Sequence, residues 1–141
     1  MSSLTLAIIK PDAVQGRLTG KILAHLEEAG FALRAARLVR LTTAQAEAFY
    51  AVHRDRPFFR PLVAFMTSGP ALALALERED AVRHLREVIG ATDPAEARPG
   101  TVRKLYAQSK ERNAIHASDS PENAGREVAF FFAEGDLAGF A

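Results

Sequence analysis

The amino-acid sequence predicts an α+β fold, a sandwich of the ferredoxin-like kind in which helices lie on one face of a four-stranded antiparallel sheet. Two observations lead to this prediction. Short apolar runs alternate along the chain with segments whose apolar residues recur at helical spacing, in the order strand, helix, strand, two helices, strand, helix, loop, strand, helix. The length of 141 residues suits one domain and is too short for two, so we expect a single domain over residues 1–141.

The first part of the chain is predicted to form strand, helix and strand. The apolar run 4–9 ends at Lys10-Pro11-Asp12, as a strand that enters a turn does. Apolar positions at helical spacing begin at Leu18, and Gly30 is a natural residue to end that helix. Residues 31–41 alternate loosely between apolar and charged side chains, which predicts a strand with one solvated face.

The middle of the chain is predicted to add two helices, a strand and a further helix. Thr42-x-x-Gln45 matches a capping box, in which the two residues satisfy each other's backbone N–H groups, and it predicts a helix start. The segment 55–59 is a turn that leads into a short helix, and 70–76 is an apolar run typical of a buried strand. Asp80 is a residue type that caps helices, so we expect it to start the next one.

The last third of the chain begins without clear periodicity. Over residues 90–117 we expect a long loop, with the fourth strand before the last helix. A structureless segment of this length in a compact domain is usually functional. The last helix has a well-marked start, because Ser120 can cap it, Pro121 suits its first position and Glu122 places an acid in its first turn.

The composition excludes several classes of protein. Apolar residues make up 48% of the chain and charged residues 25%, the balance of a soluble globular domain rather than of a disordered chain. The 18 lysines and arginines nearly cancel the 17 aspartates and glutamates, so a net charge of +1 gives no general attraction to nucleic acids or anionic lipids. The chain has no cysteine, and no apolar run approaches the roughly 20 residues that span a membrane. We expect a cytoplasmic protein that binds neither membranes nor nucleic acids.

His116 is the most distinctive candidate for catalysis among the four histidines. His25, His53 and His84 lie inside helical patterns beside charged residues, where we expect ordinary solvated side chains. His116 lies in a polar cluster just before a helix start, and a neutral imidazole can attack phosphorus without a separate base. Glu127 on the following helix could orient the ring and fix its tautomer. A buried histidine with a structural role is the alternative explanation.

Phosphate would have to be bound by separate cations, because the sequence contains no glycine-rich phosphate loop. Lys10, Arg86 and Arg103 are candidates, and guanidinium groups suit phosphate because they offer paired donors and stay charged. Each of the three could equally be an ordinary solvated residue. Phe58 or Phe59 could stack on a nucleobase or pack in the core. The residues alone indicate a phosphate-handling site without deciding it.

Six short segments resemble those of the nucleoside diphosphate kinase family and occur in the family's order. They are IIKPDA at 8–13, RPFF at 56–59, MTSGP at 66–70, GATDP at 90–94, PGTVR at 99–103 and NAIHASDS at 113–120. One such string would carry little weight. Six in register, over almost the whole chain, argue strongly against a chance resemblance.

The resemblance implies an enzyme that exchanges phosphate between nucleotides by a ping-pong mechanism. His116 would take the γ-phosphate of a nucleoside triphosphate, the diphosphate would leave, and a second diphosphate would collect the phosphate. The family's orienting acid matches Glu127. The other matching positions are Lys10 and Asn113 for ribose and phosphate, Arg86, Thr92 and Arg103 for phosphate, Tyr50 for the lining near the histidine, and Phe58 for stacking on the base.

The resemblance also implies Mg²⁺ as the cofactor and nucleoside tri- and diphosphates as the ligands. Mg²⁺ would arrive with the nucleotide, bridging its phosphates and keeping several waters, so we predict no protein residue as a metal ligand. Stacking on Phe58 and ribose contacts to Lys10 and Asn113 do not depend on the base that is present, so we expect broad base specificity.

The sequence departs from the family's usual pattern at one residue and in one three-residue segment. Ala117 follows the histidine where glycine is common, and we expect activity to survive unless that position requires a positive φ. Lys104-Leu105-Tyr106 replaces a frequent Gly-Asp-Phe. Tyr106 can pack as the phenylalanine does, while Lys104 adds a charge to a region that could face another subunit.

Members of the family are homo-oligomers built from a common dimer, and we expect a homo-oligomer here. Glu134 and Asp136 would place like charges opposite each other if the ends of two subunits met across a symmetry axis. We therefore favour a dimer over a tetramer.

The alternative function is a catalytically silent nucleotide- or RNA-binding module on the same scaffold. The sequence retains the histidine, the acid and all the cationic positions, which argues against a silent relative. It also lacks the aromatic-rich strands of a sheet that binds RNA.

Overall fold

The computed structural model describes residues 2–137, which form one four-stranded antiparallel sheet and seven α-helices. The strands are β1 (Ser2–Ile9), β2 (Ala32–Val39), β3 (Ala71–Glu79) and β4 (Ile115–Ala117). The helices are α1 (Pro11–Gln15), α2 (Thr19–Glu28), α3 (Thr43–Phe49), α4 (Phe59–Met66), α5 (Ala81–Ile89), α6 (Val102–Tyr106) and α7 (Pro121–Phe131). Single turns of 3-10 helix cover Ala51–His53 and Glu134–Asp136. The strand order β2-β3-β1-β4 confirms the predicted ferredoxin-like α+β fold.

Helices cover both faces of the sheet, so the prediction that they lie on one face is wrong. On one face, α3, α4 and α7 pack against the sheet through a core that includes Phe49, Val63 and Phe131. On the other face, α2, α5 and α6 pack through a core that includes Ile22 and Leu85. The spacing of apolar residues in a helix predicts that one side of the helix is buried. It does not predict which face of the sheet that side packs against.

β1 and β3 run through the middle of the sheet, which explains their apolar sequences. In β1, Leu6 and Ile8 face the first core whereas Ala7 and Ile9 face the second, and all four are fully buried. A strand buried on both faces has a continuous apolar sequence instead of an alternating one. β2 lies at the edge of the sheet and is only partly buried, in agreement with the solvated face predicted for residues 31–41.

Local signals predict two of the three helix caps correctly. The Thr42 hydroxyl accepts the Gln45 N–H at 3.1 Å and the Gln45 side chain accepts the Thr42 N–H at 2.9 Å, which confirms the capping box. Ser120 accepts a backbone N–H of the first turn of α7 at 3.1 Å, as predicted. The expected Asp80 cap is wrong. Asp80 precedes α5, but its backbone is left-handed (φ +50°) and its carboxylate accepts a hydrogen bond from Arg83 at 2.5 Å.

Two short helices replace segments that were expected to be irregular. The turn predicted at Lys10-Pro11-Asp12 is the beginning of α1, which continues to Gln15. Within 90–117, α6 starts where the Thr101 hydroxyl accepts the Lys104 N–H at 3.3 Å, and β4 closes the segment. At the start of this segment Gly90 has φ +89°, and a Cβ there would lie 2.6 Å from the Thr101 hydroxyl oxygen, so the position requires glycine.

The sheet brings the beginning and the end of the described chain together. β4 pairs with β1 so that His116 lies opposite Ile8, and Lys10 follows directly after β1. Within residues 2–137, no helix is both long enough and apolar enough to cross a lipid bilayer.

Candidate active site

A cavity of about 350 Å³ opens beside the end of β1 and β4. All nine side chains that the family resemblance assigns to the site line this cavity: Lys10, Tyr50, Phe58, Arg86, Thr92, Arg103, Asn113, His116 and Glu127. Phe59, the other aromatic candidate, is buried in the core. The fold thereby collects residues that lie as far apart in sequence as Lys10 and Asn113, which are 103 positions from each other.

β4 places His116 on the face of the sheet that carries α3 and α7. Its neighbours Ile115 and Ala117 point into the opposite core, because successive side chains of a strand alternate between the two faces. The His116 ring packs edge-on against Phe49, with 5.3 Å between ring centroids, and against Tyr50 at 5.9 Å. These contacts restrict the ring, yet 18% of the His116 side chain remains exposed, so a ligand in the cavity can reach it.

Glu127 determines which nitrogen of His116 is free. The Nε2 atom of His116 lies 2.8 Å from Oε1 of Glu127. An ionised carboxylate can only accept, so Nε2 carries the proton and Nδ1 keeps its lone pair. The Ser118 hydroxyl donates a second hydrogen bond to the same Oε1 at 2.8 Å and holds the carboxylate in place. Within residues 2–137 no group bonds Nδ1, which is therefore available as a nucleophile.

Burial and the neighbouring charges set the protonation of this pair. Burial lowers the pKa of His116 below its usual value, although the hydrogen bond to Glu127 acts against the shift. The positive charges of Lys10 and Arg103 lower the pKa further. Burial opposes ionisation of Glu127 as well, but hydrogen bonds from His116 and Ser118, together with electrostatic attraction to His116 and Arg126, lower the pKa of the carboxyl group. At neutral pH a neutral imidazole donates to an ionised carboxylate.

Lys10 and Asn113 form a buried hydrogen-bonded pair on the wall of the cavity. The Lys10 ammonium donates to Oδ1 of Asn113 at 2.8 Å, and Nδ2 of Asn113 donates to the Thr92 carbonyl at 3.3 Å. Burial, together with repulsion from Arg103, lowers the pKa of Lys10 to about 8, while Asp12 acts against the shift. The ammonium group is charged at neutral pH but poorly solvated, a state that a bound anion stabilises.

Arg103 is buried and bound to the main chain. Its guanidinium donates to the carbonyls of Gly90 at 3.0 Å, Ile115 at 2.7 Å and Asn113 at 3.4 Å. A guanidinium carries five N–H groups, so about two remain for a ligand. Burial and the nearby charge of Arg86 lower the pKa of Arg103 to about 10, and the group stays charged at neutral pH.

The rest of the lining offers groups without a protein partner. The Tyr50 hydroxyl is buried and finds no hydrogen-bond partner within residues 2–137, and burial raises its pKa above the usual range. Arg86 and Thr92 are exposed, and no hydrogen bond or ion pair occupies the Arg86 guanidinium in the part of the chain that the structure describes. Phe58 is 48% exposed and offers a ring face at the cavity.

Sequence reasoning missed several residues around His116, and two of them, His53 and Ser118, contact predicted site residues directly. His53, expected to be an ordinary solvated histidine, lines the cavity, and its ring contacts that of Phe58 with 5.3 Å between centroids. Ser118 stands out in the sequence only as part of the NAIHASDS segment, yet its hydroxyl donates a hydrogen bond to Glu127. The spacing could have revealed Ser118, since side chains two positions apart in an extended chain point the same way and Ser118 follows His116 by two.

The two departures from the family pattern are accommodated. Ala117 lies in β4 and does not need the positive φ that would strain it; the left-handed backbone falls three positions earlier, on Ala114 with φ +73°. Tyr106 packs against the second core as expected. Lys104 is exposed, with its ammonium nitrogen 3.4 Å from the Pro94 carbonyl.

One cavity combines a neutral nucleophilic nitrogen, an exposed aromatic ring and four cationic side chains, those of Lys10, Arg86, Arg103 and Arg126. These groups suit a ligand that has an aromatic base and a chain of phosphates. The cations would attract the phosphates, and the aromatic face would accept the base. The free Nδ1 of His116 lies among them as the group that can form a bond to phosphorus.

Comparisons with known proteins agree with this chemistry. The family model described as nucleoside diphosphate kinase matches residues 3–137. A nucleoside diphosphate kinase of Halorhodospira halophila is 58% identical over 128 residues, 91% of each chain, and one of Azorhizobium caulinodans is 56% identical over 135 residues, 96% of each. The crystal structure of the Aquifex aeolicus nucleoside diphosphate kinase superposes with a TM-score of 0.96 at 46% identity, covering 98% of this chain and 100% of that one.

A second solved structure carries a ligand. The nucleoside diphosphate kinase of Halobacterium salinarum, solved in complex with CDP, superposes with a TM-score of 0.94 at 38% identity, covering 100% of this chain and 94% of that one. A family model over nearly the whole chain, relatives above 50% identity and superposable structures give one answer. This chain belongs to the nucleoside diphosphate kinase family.

Proposed function

We propose that this chain transfers the γ-phosphate of a nucleoside triphosphate, usually ATP, to a nucleoside diphosphate through a phosphorylated His116. The observation that carries the proposal is the free Nδ1 of His116, which shares its cavity with buried cations while Nε2 is held by Glu127. Membership of the family supports the same reaction.

The first half-reaction forms a phosphohistidine. The lone pair of His116 Nδ1 attacks the γ-phosphorus, the bond from phosphorus to the β–γ bridging oxygen breaks, and the diphosphate leaves with that electron pair. The ring becomes positively charged, and Glu127 stabilises this charge through the hydrogen bond from Nε2. In the second half-reaction a terminal phosphate oxygen of another diphosphate attacks the phosphorus. The Nδ1–P bond then breaks and the neutral ring is restored, so no proton is gained or lost overall.

The other lining groups position the phosphates and stabilise their charge. Lys10, Arg86 and Arg103 neutralise the transferring phosphoryl group and the leaving diphosphate, which is the main source of catalysis in phosphoryl transfer. Asn113 shares the ribose and phosphate contacts of Lys10, to which it is bonded. The Tyr50 hydroxyl, which has no partner within residues 2–137, can donate to the ligand. Thr92 adds a hydroxyl on the phosphate side.

Mg²⁺ binds with the nucleotide in this proposal and neutralises phosphate charge. Among residues 2–137 no three His, Cys, Asp or Glu side chains are grouped so that they could hold a metal ion. Of the two carboxylates in the cavity lining, Glu127 is engaged with His116, and Asp119 accepts a hydrogen bond from Asn123 at 2.6 Å. This donor set fits an ion that is held mainly by phosphates and water.

Labelling with radioactive γ-phosphate of ATP in the presence of Mg²⁺ tests the proposal. We expect the protein to retain label that acid removes and alkali does not, attached to Nδ1 because Glu127 occupies Nε2. His116→Ala should retain none. His25→Ala, which changes a histidine of α2 outside the cavity, should label like the wild type. Full labelling of His116→Ala would rule out the proposal, and nucleotide binding without any label in the wild type would favour the catalytically silent module instead.

We also propose a homo-oligomer, with the dimer as the favoured state. β2 is an edge strand, and its Leu38 is 63% exposed, which supports a contact at this edge. Glu134 and Asp136 are exposed near the end of the described chain and would repel their copies in a further contact there. Static light scattering at micromolar concentration should give the mass of two chains, and a mass near four chains would reject the dimer.

The remaining expectations extend the same proposal. We expect a single domain over residues 1–141, and the one sheet that contains both the first and the last strand of the described chain supports this expectation. A cytoplasmic location stays a prediction of the sequence, and fractionation of the source cells tests it.

A further inference from the structure

Two residues before the nucleophile, the backbone makes a tight turn in an uncommon conformation. Ala114 is fully buried and has φ +73°, in the left-handed region that residues other than glycine rarely adopt. The Ile115 N–H donates to the Asn113 carbonyl at 2.9 Å, so the turn closes over three residues with Ala114 at its centre. Such a backbone is strained for alanine and persists only where the surrounding structure holds it.

Neighbouring groups bind the carbonyls of this turn. The Lys10 N–H donates to the Ala114 carbonyl at 2.9 Å. Arg103 donates to the carbonyls on both sides, that of Asn113 at 3.4 Å and that of Ile115 at 2.7 Å. The Ala114 N–H lies at the centre of the turn, and without a partner it would be a buried unpaired donor.

Asp12 supplies that partner. Its Oδ2 accepts the Ala114 N–H at 3.1 Å across 102 positions of sequence. Asp12 is 6% exposed, and its other oxygen has no hydrogen-bond partner within residues 2–137. Burying this carboxylate therefore costs desolvation free energy. Lys10 carries the compensating charge, since Asp12 raises the pKa of that lysine. Asp12 does not line the cavity, and the mechanism above does not use it.

We propose that Asp12 is a positioning residue for phosphoryl transfer, because by binding the Ala114 N–H it holds the turn that directs Asn113 and His116 to their separate partners. The inference rests on the proposed phosphorylation of His116.

The turn matters because it serves two functional side chains at once. Asn113 enters the turn and reaches the Lys10 ammonium at 2.8 Å. His116 leaves it in β4 and reaches Glu127 at 2.8 Å. If Ala114 relaxed to a negative φ, the chain would change direction between these side chains and the two pairs could not both keep their distances. A misplacement of about 1 Å at a reacting group can cost about 100-fold in rate.

Two substitutions at Asp12 separate the hydrogen bond from the general fit of the side chain. Asp12→Ala removes the acceptor, whereas Asp12→Asn keeps one, because an amide oxygen can accept the same N–H. We expect Asp12→Ala to slow phosphorylation of His116 at saturating ATP by about 10- to 100-fold. Asp12→Asn should recover most of that loss.

A core substitution outside the turn controls for lost stability. Ile22→Val removes one buried methylene in α2, in the same core as Ala114, and destabilises the fold while the hydrogen bond from the Ala114 N–H to Asp12 is kept. It should phosphorylate at the wild-type rate at a temperature where every variant is folded. Because the rate is measured at saturating ATP, weaker nucleotide binding alone would not lower it.

Hydrogen exchange in the unaltered protein gives a measurement that does not depend on how well a variant folds. The Ala114 amide should exchange as slowly as the amides of β1, since it is buried and bonded to Asp12. Exchange as fast as that of exposed loop amides would overturn the proposal whatever the variants do. In Asp12→Ala this amide should exchange faster while those of β1 do not.

The outcomes distinguish this inference from the proposed function. A wild-type phosphorylation rate in Asp12→Ala, with label on His116, overturns the positioning role alone. An unaltered protein that never carries label on His116 overturns the proposed function, and exchange at Ala114 then still decides whether Asp12 holds the turn.

Discussion

Replacing Glu127 with alanine tests how far the reaction depends on the carboxylate behind His116. The carboxylate accepts two hydrogen bonds through Oε1, one from the imidazole and one from Ser118, each at 2.8 Å. The bond from the imidazole strengthens when Nδ1 bonds to phosphorus, because the ring then carries a positive charge. That strengthening stabilises the transition state more than the ground state, so its loss lowers the rate of phosphorylation.

The size of the effect follows from the type of bond that is lost. A hydrogen bond that involves a charged group contributes about 1.5–3 kcal/mol, which corresponds to roughly 10- to 150-fold in rate. Removing a group that orients a functional histidine typically costs about 10- to 100-fold. We therefore expect Glu127→Ala to slow phosphorylation of His116 by about 10- to 100-fold. Affinity for ADP should stay within about twofold, because Glu127 is engaged with the ring instead of with the phosphates.

Rapid quenching after mixing with radioactive ATP measures the phosphorylation rate directly, and calorimetry measures ADP binding. The chain has no tryptophan, so calorimetry replaces intrinsic tryptophan fluorescence. Ser118→Ala is the matched control, since it loses one bond to the same carboxylate but leaves the bond to the ring, and it should slow the step by less than Glu127→Ala does. Phosphorylation of Glu127→Ala within about twofold of the wild-type rate would refute the reasoning.

The other predictions concern pH, backbone geometry and stacking. Only the neutral His116 ring attacks, and its pKa is lowered, so the acid limb of the kcat/KM profile should be centred below pH 6.5. The profile should fall above about pH 8 as Lys10 loses its proton, and an acid limb centred above pH 6.5 would contradict the lowered pKa of His116. Gly90→Ala should lower the melting temperature in calorimetry, because its φ is +89° and a Cβ would meet the Thr101 hydroxyl at 2.6 Å. Gly125→Ala, in open space within α7, should instead stabilise the fold by about 1 kcal/mol. Phe58→Ala should weaken binding of purine and pyrimidine diphosphates alike by about 1–3 kcal/mol, and a loss confined to one base would argue against stacking.

The elements that sequence predicts well are those whose determinants are local. Thr42 and Ser120 lie beside the N–H groups they cap, and Gly30 adopts φ +95° after α2, as the end of a helix requires. The five-residue α6 and the three-residue β4 are too short for their apolar residues to repeat with a recognisable helical or strand period. The Asp80 side chain does not cap α5, and the Asp80 backbone is left-handed. The residue type alone does not predict that backbone conformation.

The same limit applies to the site. A motif string identifies His116, and Glu127 follows from its place on the next helix, but nothing in the local sequence of either residue shows that Nε2 rather than Nδ1 meets the carboxylate. His53 was misjudged because a helical pattern says only that a residue is on the surface, and the cavity opens on that surface. The contact between Asp12 and Ala114 spans 102 positions, and long-range pairing of this kind depends on the folded sheet.

The pairing of β4 with β1 has a consequence for synthesis of the chain on the ribosome. β1 is made first, and β3 can cover only one of its edges. The other edge waits for residues 115–117, which emerge after four fifths of the chain has been translated. A nascent or truncated chain that stops before them exposes a central apolar strand with open hydrogen-bonding groups, the kind of edge that aggregates. The strand that closes this edge also carries His116, the proposed nucleophile, so under that proposal a chain that can react has already closed the exposed edge.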